Sequence, residues 1–336
     1  MNFVDTLTRK LFHFFCVYAM QYDLTILGND EAAFETALAA NNQGLKTLVV
    51  VSDTAVSAWQ KTRALQHLAT ERFANNRSEP TAANGSSFAF EFPSYLQMEL
   101  QEFSTSLRAA GIDVLNAKAE FESAGTLRLA FPDFTRPVTI HSQNTIIATG
   151  VQHTAFSFCD RTNQQQTADV ISSFHKLPNR VRIIGGADFG AALSACLQLC
   201  GVNTQLISRQ QHDSATLELA INCGVEVADH PDDFNTNCTT SSATKNIEQQ
   251  VLDCRGQHGL TEGLSLDKIA VEADEHGQLW CGRHFETWCR GVYGVGDVVG
   301  FSPNSTIPVD IQAKMVVDRI CNIQQPASHI ENRITV

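Results

Sequence analysis

One short glycine-containing turn near the start of the chain has residue spacing suited to binding an anion. The stretch ILGNDEAAF (26–34) follows an apolar run and opens a predicted helix. Gly28, Asp30 and Ala33 fill the three fixed positions of a G-x-G-x-x-G pattern. Backbone N–H groups and the dipole at a helix N-terminus attract phosphate. The turn is therefore a candidate site for a dinucleotide diphosphate.

Asp30 stands where such a turn normally has a glycine that approaches the phosphates. A carboxylate there would be repelled by about 3 kcal/mol per phosphate charge at ~5 Å and an effective dielectric near 20. Asn29, Asp30 and Glu31 are also good residues for the first turn of a helix, and the carboxylates of Asp30 and Glu31 can occupy the anion position themselves. Two interpretations stay open: self-capping with weakened or lost diphosphate binding, or binding with a shifted turn.

A second turn of the same kind occurs about 157 residues later. In RVRIIGGADFG (180–190) the three pattern positions are Gly185, Ala187 and Gly190. The pattern here is nearly complete, and no carboxylate stands at its middle position. This turn is the second candidate for a dinucleotide.

The strands that follow the two helices lack the acidic residue that usually binds the adenosine ribose. In the first unit the matching position is Val51, and Asp53 could substitute only in a rearranged turn. In the second unit the position is Ser208, followed by Arg209. Without the acid the usual preference for NAD is lost. Arg209 could favour a 2′-phosphate and hence NADP, although an arginine after a strand is more often a solvated charge.

Both turns lie in strand–turn–helix–strand units. YDLTILG (22–28), EAAFETALAANNQ (31–43) and KTLVVVS (46–52) have the apolar patterns of a strand, a helix and a buried parallel strand. Residues 180–208 repeat the pattern. The sequence therefore predicts an α/β protein with two Rossmann-like, three-layer nucleotide-binding domains. A polar loop is expected over 72–87, a polar β-poor stretch over 232–250 and a final amphipathic helix over 309–323.

The thiols show no pattern that indicates a metal site. Ten cysteines occur, none in a C-x-x-C pair: Cys16, Cys159, Cys196, Cys200, Cys223, Cys238, Cys254, Cys281, Cys289 and Cys321. Zinc binding therefore has little support. Cys196 and Cys200 share a helix face and are expected to be buried apolar thiols. Unpatterned cysteines favour a reducing, cytoplasmic location.

Composition and the N-terminus restrict the remaining possibilities. The 336-residue chain has 43% hydrophobic residues and a net charge of −12, which argues against a nucleic-acid partner. Residues 1–20 form an extension whose apolar stretch LFHFFCVYAM is too short to span a bilayer. This stretch is either a poor signal sequence or a segment upstream of the true translation start at Met20. We favour the start at Met20.

Four segments, in order, resemble the flavin-dependent pyridine nucleotide–disulfide oxidoreductases. They are YDLTILGNDEAA, NTIIATGVQ, RVRIIGGADFGAAL and GVYGVGDVVG. The stretch TEGLSLDKIAVEADEHGQLWC looks most like the soluble pyridine nucleotide transhydrogenase branch. The resemblance implies an FAD-type domain in two parts (21–155 and 276–325), an inserted NAD(P)-type domain (156–275) and a tail (326–336).

The resemblance also implies roles for particular residues. Thr149 and Gly150 belong to the ATG at the end of a strand, and Gly296 and Asp297 match the second flavin motif. The glycine would let the backbone approach, and the aspartate would accept hydrogen bonds from the ribityl chain. Arg63 aligns with the family lysine beside the flavin if about six residues are deleted before it. Gln257 replaces a usual arginine.

Several family features are absent from the sequence. No cysteine occurs between positions 17 and 158, so the redox dithiol is missing from its usual place. The resemblance also implies a C-terminal dimerisation domain, which we expect this protein to lack, and this expectation leaves the oligomeric state open. The resemblance favours a transhydrogenase-like, FAD-dependent NAD(P)H oxidoreductase that moves hydride between nicotinamide and flavin. Because the flavin carries this chemistry, no catalytic side chain is assigned. The alternative is a catalytically inactive relative that senses nucleotides or binds a partner.

Overall fold

The chain forms two compact units. The computed structural model describes residues 21–76, 85–157, 164–166, 179–208, 214–229 and 249–324. Unit 1 takes its described residues from the segments 1–57, 103–150 and 259–336, and unit 2 takes them from 58–102 and 151–258.

Fifteen strands and six α-helices are named here in chain order. The strands are β1 (Gln21–Leu27), β2 (Thr47–Val51), β3 (Asp113–Asn116), β4 (Lys118–Ser123), β5 (Thr126–Ala130), β6 (Val138–Ile147), β7 (Val151–Ser157), β8 (Gln164–Gln166), β9 (Arg180–Ile184), β10 (Asn203–Ile207), β11 (Glu226–Ala228), β12 (Gln249–Gly259), β13 (Leu279–Trp280), β14 (Val292–Gly294) and β15 (Val299–Phe301). The helices are α1 (Glu31–Asn42), α2 (Ala58–Asn76), α3 (Gly85–Ala109), α4 (Ala187–Leu199), α5 (Ala215–Asn222) and α6 (Val309–Gln324).

Unit 1 is built on a sheet in the order β3-β2-β1-β6-β5-β4. Strands β3, β2, β1 and β6 are parallel, and β14 joins in parallel beside the end of β6. The start of β6 pairs instead with β5 in an antiparallel ladder that continues to β4. The strand order reverses at β1, so a crevice opens where β1 and β6 end, and ligands of open α/β sheets bind in such crevices.

Two helices of unit 1, α1 and α6, pack against each other beside its sheet. Every residue of β2 is buried, as expected for a central parallel strand. The helix α1 buries a face of small residues, including Ala33 and Ala37, and it packs against α6. Small side chains on this face allow the helix to lie close to the sheet.

Unit 2 has a six-stranded sheet in the order β11-β10-β9-β12-β7-β8. Strands β11, β10, β9 and β12 are parallel. The helix α4 connects β9 to β10 and lies in the hydrophobic core. Leu65 and Leu68 of α2 share that core with Ala192 and Cys196 of α4. This packing explains why residues 58–102 group with unit 2.

The α/β prediction with parallel sheets is confirmed, and so is the final helix near 309–323. The predicted loop at 72–87 is wrong at both ends, because α2 extends to Asn76 and α3 begins at Gly85.

The predicted domain boundaries stay a prediction. The division into units differs from them because it groups 58–102 with unit 2. The extension 1–20 and most of the polar stretch 232–250 lie outside the described residues. None of the helices in the described ranges has the length and apolarity that a bilayer crossing requires.

Candidate functional site

The first turn lies at the edge where the central strands of unit 1 end. The Gly28 N–H donates to the carbonyl of Val50 at 2.9 Å, and the Ala148 N–H donates to Leu27 at 2.8 Å. The Val295 N–H donates to Ile147 at 3.1 Å. Backbone bonds therefore align the ends of four neighbouring strands around this turn.

Three glycines line this crevice without room for a side chain. A Cβ at Gly28, whose φ is +135°, would lie 2.0 Å from the Ala148 carbonyl oxygen. A Cβ at Gly150 would lie 2.6 Å from Cγ of Asp30, and one at Gly296 would lie 2.5 Å from Cβ of Ala32. The sequence placed all three glycines at a nucleotide site, and the fold brings them together.

The Thr149 hydroxyl sits beside this cradle. Its Oγ1 is buried and has no hydrogen-bond partner among the described residues. A buried hydroxyl without a partner is costly, so a ligand atom that bonds to it would relieve that cost.

The Asp30 carboxyl is buried against the glycines at the centre of the crevice. Only 4% of the residue is exposed, and its carboxyl faces Gly150 and Gly296. Burial raises the pKa of Asp30 to about 7, and the nearby Asp297 carboxylate contributes. The Ser57 hydroxyl opposes this shift by bonding to the carboxyl.

The expectation that the Asp30 side chain caps α1 is wrong in part. Asp30 is the N-cap residue, but its side chain makes no capping hydrogen bond. Its backbone carbonyl accepts from the Ala33 N–H at 3.0 Å instead. The carboxyl is thus a buried acid beside the helix end, and it is without the usual capping contact.

Asn29 fixes the loop that follows β2 over the first turn. Its amide group donates to the carbonyls of Ser52 and Ala55, and its Oδ1 accepts from the Ser57 N–H at 3.1 Å. Sequence reasoning missed Ser57 because nothing in the local sequence shows that this loop folds back to Asp30.

The ends of β2 and β14 carry the remaining residues of this crevice. Val51 is buried, so no acidic group lies at the usual ribose position. Asp53 is exposed and accepts from the Asn116 side chain at 2.5 Å. Asp297 is exposed at the end of β14, and the surrounding protein still raises its pKa.

The second turn in unit 2 is tightly closed. A Cβ at Gly190 would lie 2.0 Å from the Gly185 carbonyl oxygen, so α4 packs directly on the turn. Gly186 is in the left-handed region with φ of +83°. Ala187 also has a positive φ of +47°, which is unusual for alanine.

Arg255, which the sequence analysis did not single out, lies over the second turn. A Cβ at Gly185 would lie 2.4 Å from Cγ of Arg255. The guanidinium is ion-paired with Asp253 at 2.5 Å and is largely exposed. The second turn therefore has a cation beside it, whereas the first turn has a buried carboxyl.

The other predicted residues of unit 2 have separate positions. Ser208 is buried after β10, and its N–H donates to the Ala228 carbonyl. Arg209 lies outside the described residues. Gln257 is exposed on β12. Arg63 lies on α2 of unit 2, with Nε 2.6 Å from Oε2 of Glu99.

The described cysteines are free thiols. Most of them are expected to react poorly because they lie in surroundings that raise their pKa. Burial raises the pKa of both Cys254 and Cys281 to about 12, and it raises that of Cys196 well above its ordinary value. Thiols of this kind hold little reactive thiolate near neutral pH. No group of three or more possible metal ligands occurs in the part of the chain that the structure describes.

The chain belongs to the pyridine nucleotide-disulphide oxidoreductase family, whose profile matches residues 22–315. A soluble pyridine nucleotide transhydrogenase of Marinomonas sp. is 24% identical and aligns with 83% of this chain and 67% of its own length. A dihydrolipoyl dehydrogenase of Trypanosoma brucei brucei is 25% identical, with 84% of this chain and 67% of the relative covered.

A solved structure shares the fold. It is the copper(II) complex of the HOCl-induced flavoprotein disulfide reductase RclA from Escherichia coli. The TM-score is 0.58 at 15% identity, covering 92% of this chain and 72% of the other. The family match over residues 22–315 confirms the resemblance predicted from four sequence segments.

The first crevice fits a flavin dinucleotide on one condition. The unpartnered Thr149 hydroxyl suits a polar ligand, and the close packing at Gly28, Gly150 and Gly296 brings the strand ends and the start of α1 together beside it. The Asp30 carboxyl occupies space beside Gly150 and opposes a diphosphate when it is ionised. The residues therefore fit the group once Asp30 is neutral or turned aside.

Proposed function

We propose that this chain is a flavin-dependent NAD(P)H oxidoreductase of the transhydrogenase-like kind. The observation that carries the proposal is the convergence of Gly28, Gly150 and Gly296 at one edge of the unit 1 sheet, where protein atoms fill each Cβ position, together with the unpartnered Thr149 hydroxyl beside them. Bound FAD would supply the hydride acceptor. The second unit would be the nucleotide domain inserted into the FAD-type domain.

The residues of unit 1 would hold the flavin without reacting themselves. The first N–H groups of α1 would hold the diphosphate, and the Thr149 hydroxyl would donate to a ligand oxygen. Asp297 would accept hydrogen bonds from sugar hydroxyls. The Asp30 carboxyl would have to be neutral or turn aside for the flavin to bind. If it is neutralised, flavin binding would be accompanied by proton uptake in the pH range in which Asp30 titrates.

The residues of unit 2 would hold the nicotinamide nucleotide. Gly185, Gly186 and Gly190 would bring the backbone to the diphosphate, and the Arg255 guanidinium would neutralise part of its charge. Ser208 offers a hydroxyl where NAD-specific members of this fold have a carboxylate, and a hydroxyl does not repel a 2′-phosphate.

We expect little discrimination between NAD and NADP at the second turn. Fluorescence titration of the protein with NADH and with NADPH should give dissociation constants within about tenfold of each other. A preference for NADH beyond that range would contradict the role given to Ser208.

We also expect the thiols to be dispensable. Replacing the cysteines with serine or alanine, in those variants that fold, should leave NAD(P)H oxidation unchanged, because no cysteine lies between 17 and 158. Steady-state oxidation of NADPH is the measurement, with circular dichroism as the control for folding. A large loss of activity in a folded variant would show that a cysteine from elsewhere takes part.

A second candidate function rests on Asp30. A buried carboxyl in the diphosphate position favours a catalytically inactive relative that binds a nicotinamide nucleotide at the second turn and senses it. In that case the protein would bind NAD(P)H but hold no flavin.

One experiment tests the proposed function and separates it from the second. The protein is saturated with FAD, made anaerobic and mixed with NADH or NADPH. Bleaching of the visible flavin absorption supports the oxidoreductase. Binding of NAD(P)H without flavin uptake or bleaching rejects it and supports the sensor.

A further inference from the structure

Three aromatic side chains are exposed close together on unit 1. Trp280 is 55% exposed, Phe301 54% and Trp288 83%. The rings of Trp280 and Phe301 are in contact, with their centroids 5.6 Å apart. Exposed apolar patches on soluble proteins commonly mark binding sites. None of the three residues belongs to a glycine turn, so the proposed redox function does not account for them.

The aromatic side chains line a hollow of about 400 Å³. Its walls include Trp280, Arg283, Glu286, Trp288, Phe301 and Pro303. A second hollow of about 310 Å³ shares Trp288 and Glu286 with the first and is also lined by Arg290, Arg319 and Ile323. We call the two adjoining hollows the aromatic groove. The first hollow has a volume in the range of small-molecule sites, roughly 300–1,000 Å³.

Hydrogen bonds to the backbone fix the walls of the aromatic groove. The Cys281 N–H donates to the Phe301 carbonyl at 2.8 Å, and strand pairing places Trp280 opposite Phe301. The Asn304 side chain donates to the Arg283 carbonyl at 2.8 Å. The groove is therefore formed before a ligand arrives, and binding does not have to order these segments.

The aromatic groove is positively charged, whereas the whole chain has a net charge of −12. Its lining contains Arg283, Arg290 and Arg319 but one carboxylate, Glu286, which gives a charge of +2 without counting the histidine. Within the described residues none of the three arginines is in an ion pair. Oε1 of Glu286 already accepts from the Gly291 N–H at 3.1 Å. Aromatic walls beside unpaired guanidinium groups suit an aromatic ligand that carries negative charge.

We propose that the aromatic groove binds a small aromatic carboxylate. The ring of the ligand packs against the three exposed aromatic side chains, and its carboxylate binds the Arg283 guanidinium. Arg283 has this role because it lines the same hollow as Trp280 and Phe301, whereas Arg290 and Arg319 add attraction from the second hollow. A second copy of the chain does not fit in a symmetric interface, because two positively charged grooves would repel each other.

The test is titration of the full chain with 1-naphthoate, followed by NMR of the indole N–H groups. The chain has three tryptophans, and Trp59 on α2 is an internal control outside the groove. We expect the Trp280 and Trp288 resonances to move and saturate while the Trp59 resonance stays in place. The uncharged 1-naphthamide has the same ring and should bind at least about fivefold more weakly.

The variants separate the contribution of the charge from that of the rings. Arg283→Gln should weaken binding of 1-naphthoate at least about tenfold and leave binding of 1-naphthamide unchanged. Trp288→Ala should weaken binding of both ligands. Arg136→Gln is the matched control, because Arg136 is exposed on unit 1, has no ion pair within the described residues and lies outside the groove. Circular dichroism checks the folding of each variant.

The contradicting results are specific. If 1-naphthoate leaves the Trp280 and Trp288 resonances of the wild type in place, the proposal is wrong whether or not the variants fold. Equal affinities for 1-naphthoate and 1-naphthamide, or equal weakening by Arg283→Gln and Arg136→Gln, would also reject it. Self-association in sedimentation that Trp288→Ala abolishes, without binding of 1-naphthoate, would identify a second copy as the occupant and overturn the proposal.

Discussion

Replacing Gly28 with alanine should lower the free energy of unfolding by about 3 kcal/mol or more. The added Cβ would lie 2.0 Å from the Ala148 carbonyl oxygen and 2.7 Å from Cα of Thr149. Both atoms are backbone atoms of the neighbouring strand end, so they cannot move aside without breaking the Ala148–Leu27 hydrogen bond. The φ of +135° adds strain for any L-residue with a side chain.

Gly44→Ala is the matched control, because Gly44 also has a positive φ but an added Cβ there meets nothing within 4 Å. Backbone strain alone should cost about 1 kcal/mol at that position. Denaturant unfolding followed by far-ultraviolet circular dichroism measures both variants. Equal losses for the two would show that close packing at the first turn is not the cause.

Asp30→Asn should stabilise the protein above neutral pH by about 2–4 kcal/mol. The pKa of Asp30 rises from 3.8 to about 7 on folding because the carboxyl is buried. A shift of this size corresponds to about 4 kcal/mol between the two protonation states. An amide of the same shape carries no charge and can still accept a hydrogen bond from Ser57.

The pH dependence of the free energy of unfolding follows from the number of protons that the folded and unfolded chains bind. Between pH 3.8 and about pH 7 the folded chain holds a proton on Asp30 that the unfolded chain has lost. The free energy of unfolding therefore falls as pH rises through this window, and the full cost is present above it. Asp30→Asn should remove this slope, whereas Asp133→Asn, at an exposed position, should not. A stability profile of Asp30→Asn parallel to that of wild type would contradict the burial of an acid here.

The elements around the site were predictable because each has a strong local pattern. β2 is apolar at every position, and a glycine follows β1 at the start of the turn. The four ordered segments also predicted the family correctly. The grouping of 58–102 with unit 2 was not predictable, because it depends on packing of Leu65 and Leu68 against α4 over long sequence distances.

The chemistry of the site was less predictable than its position. The sequence showed Asp30 in the wrong place for phosphate, but only the fold shows that its carboxyl is buried against Gly150 and Gly296, and this burial raises its pKa. Arg255 and Ser57 reach the two turns from distant segments. The aromatic groove joins the paired strands β13 and β15 with the loop that follows β13, and the sequence shows only separate aromatic residues there.

The central claim is that unit 1 binds a flavin dinucleotide in a crevice that Asp30 obstructs. Titration with FAD at pH 8 and at pH 6, followed by quenching of flavin fluorescence, tests it most directly. The claim predicts that Asp30→Gly binds FAD at least about tenfold more tightly than wild type at pH 8, and that wild type binds more tightly at pH 6 than at pH 8. FAD binding that is equal in the two proteins at both pH values, or absent from both, would contradict it.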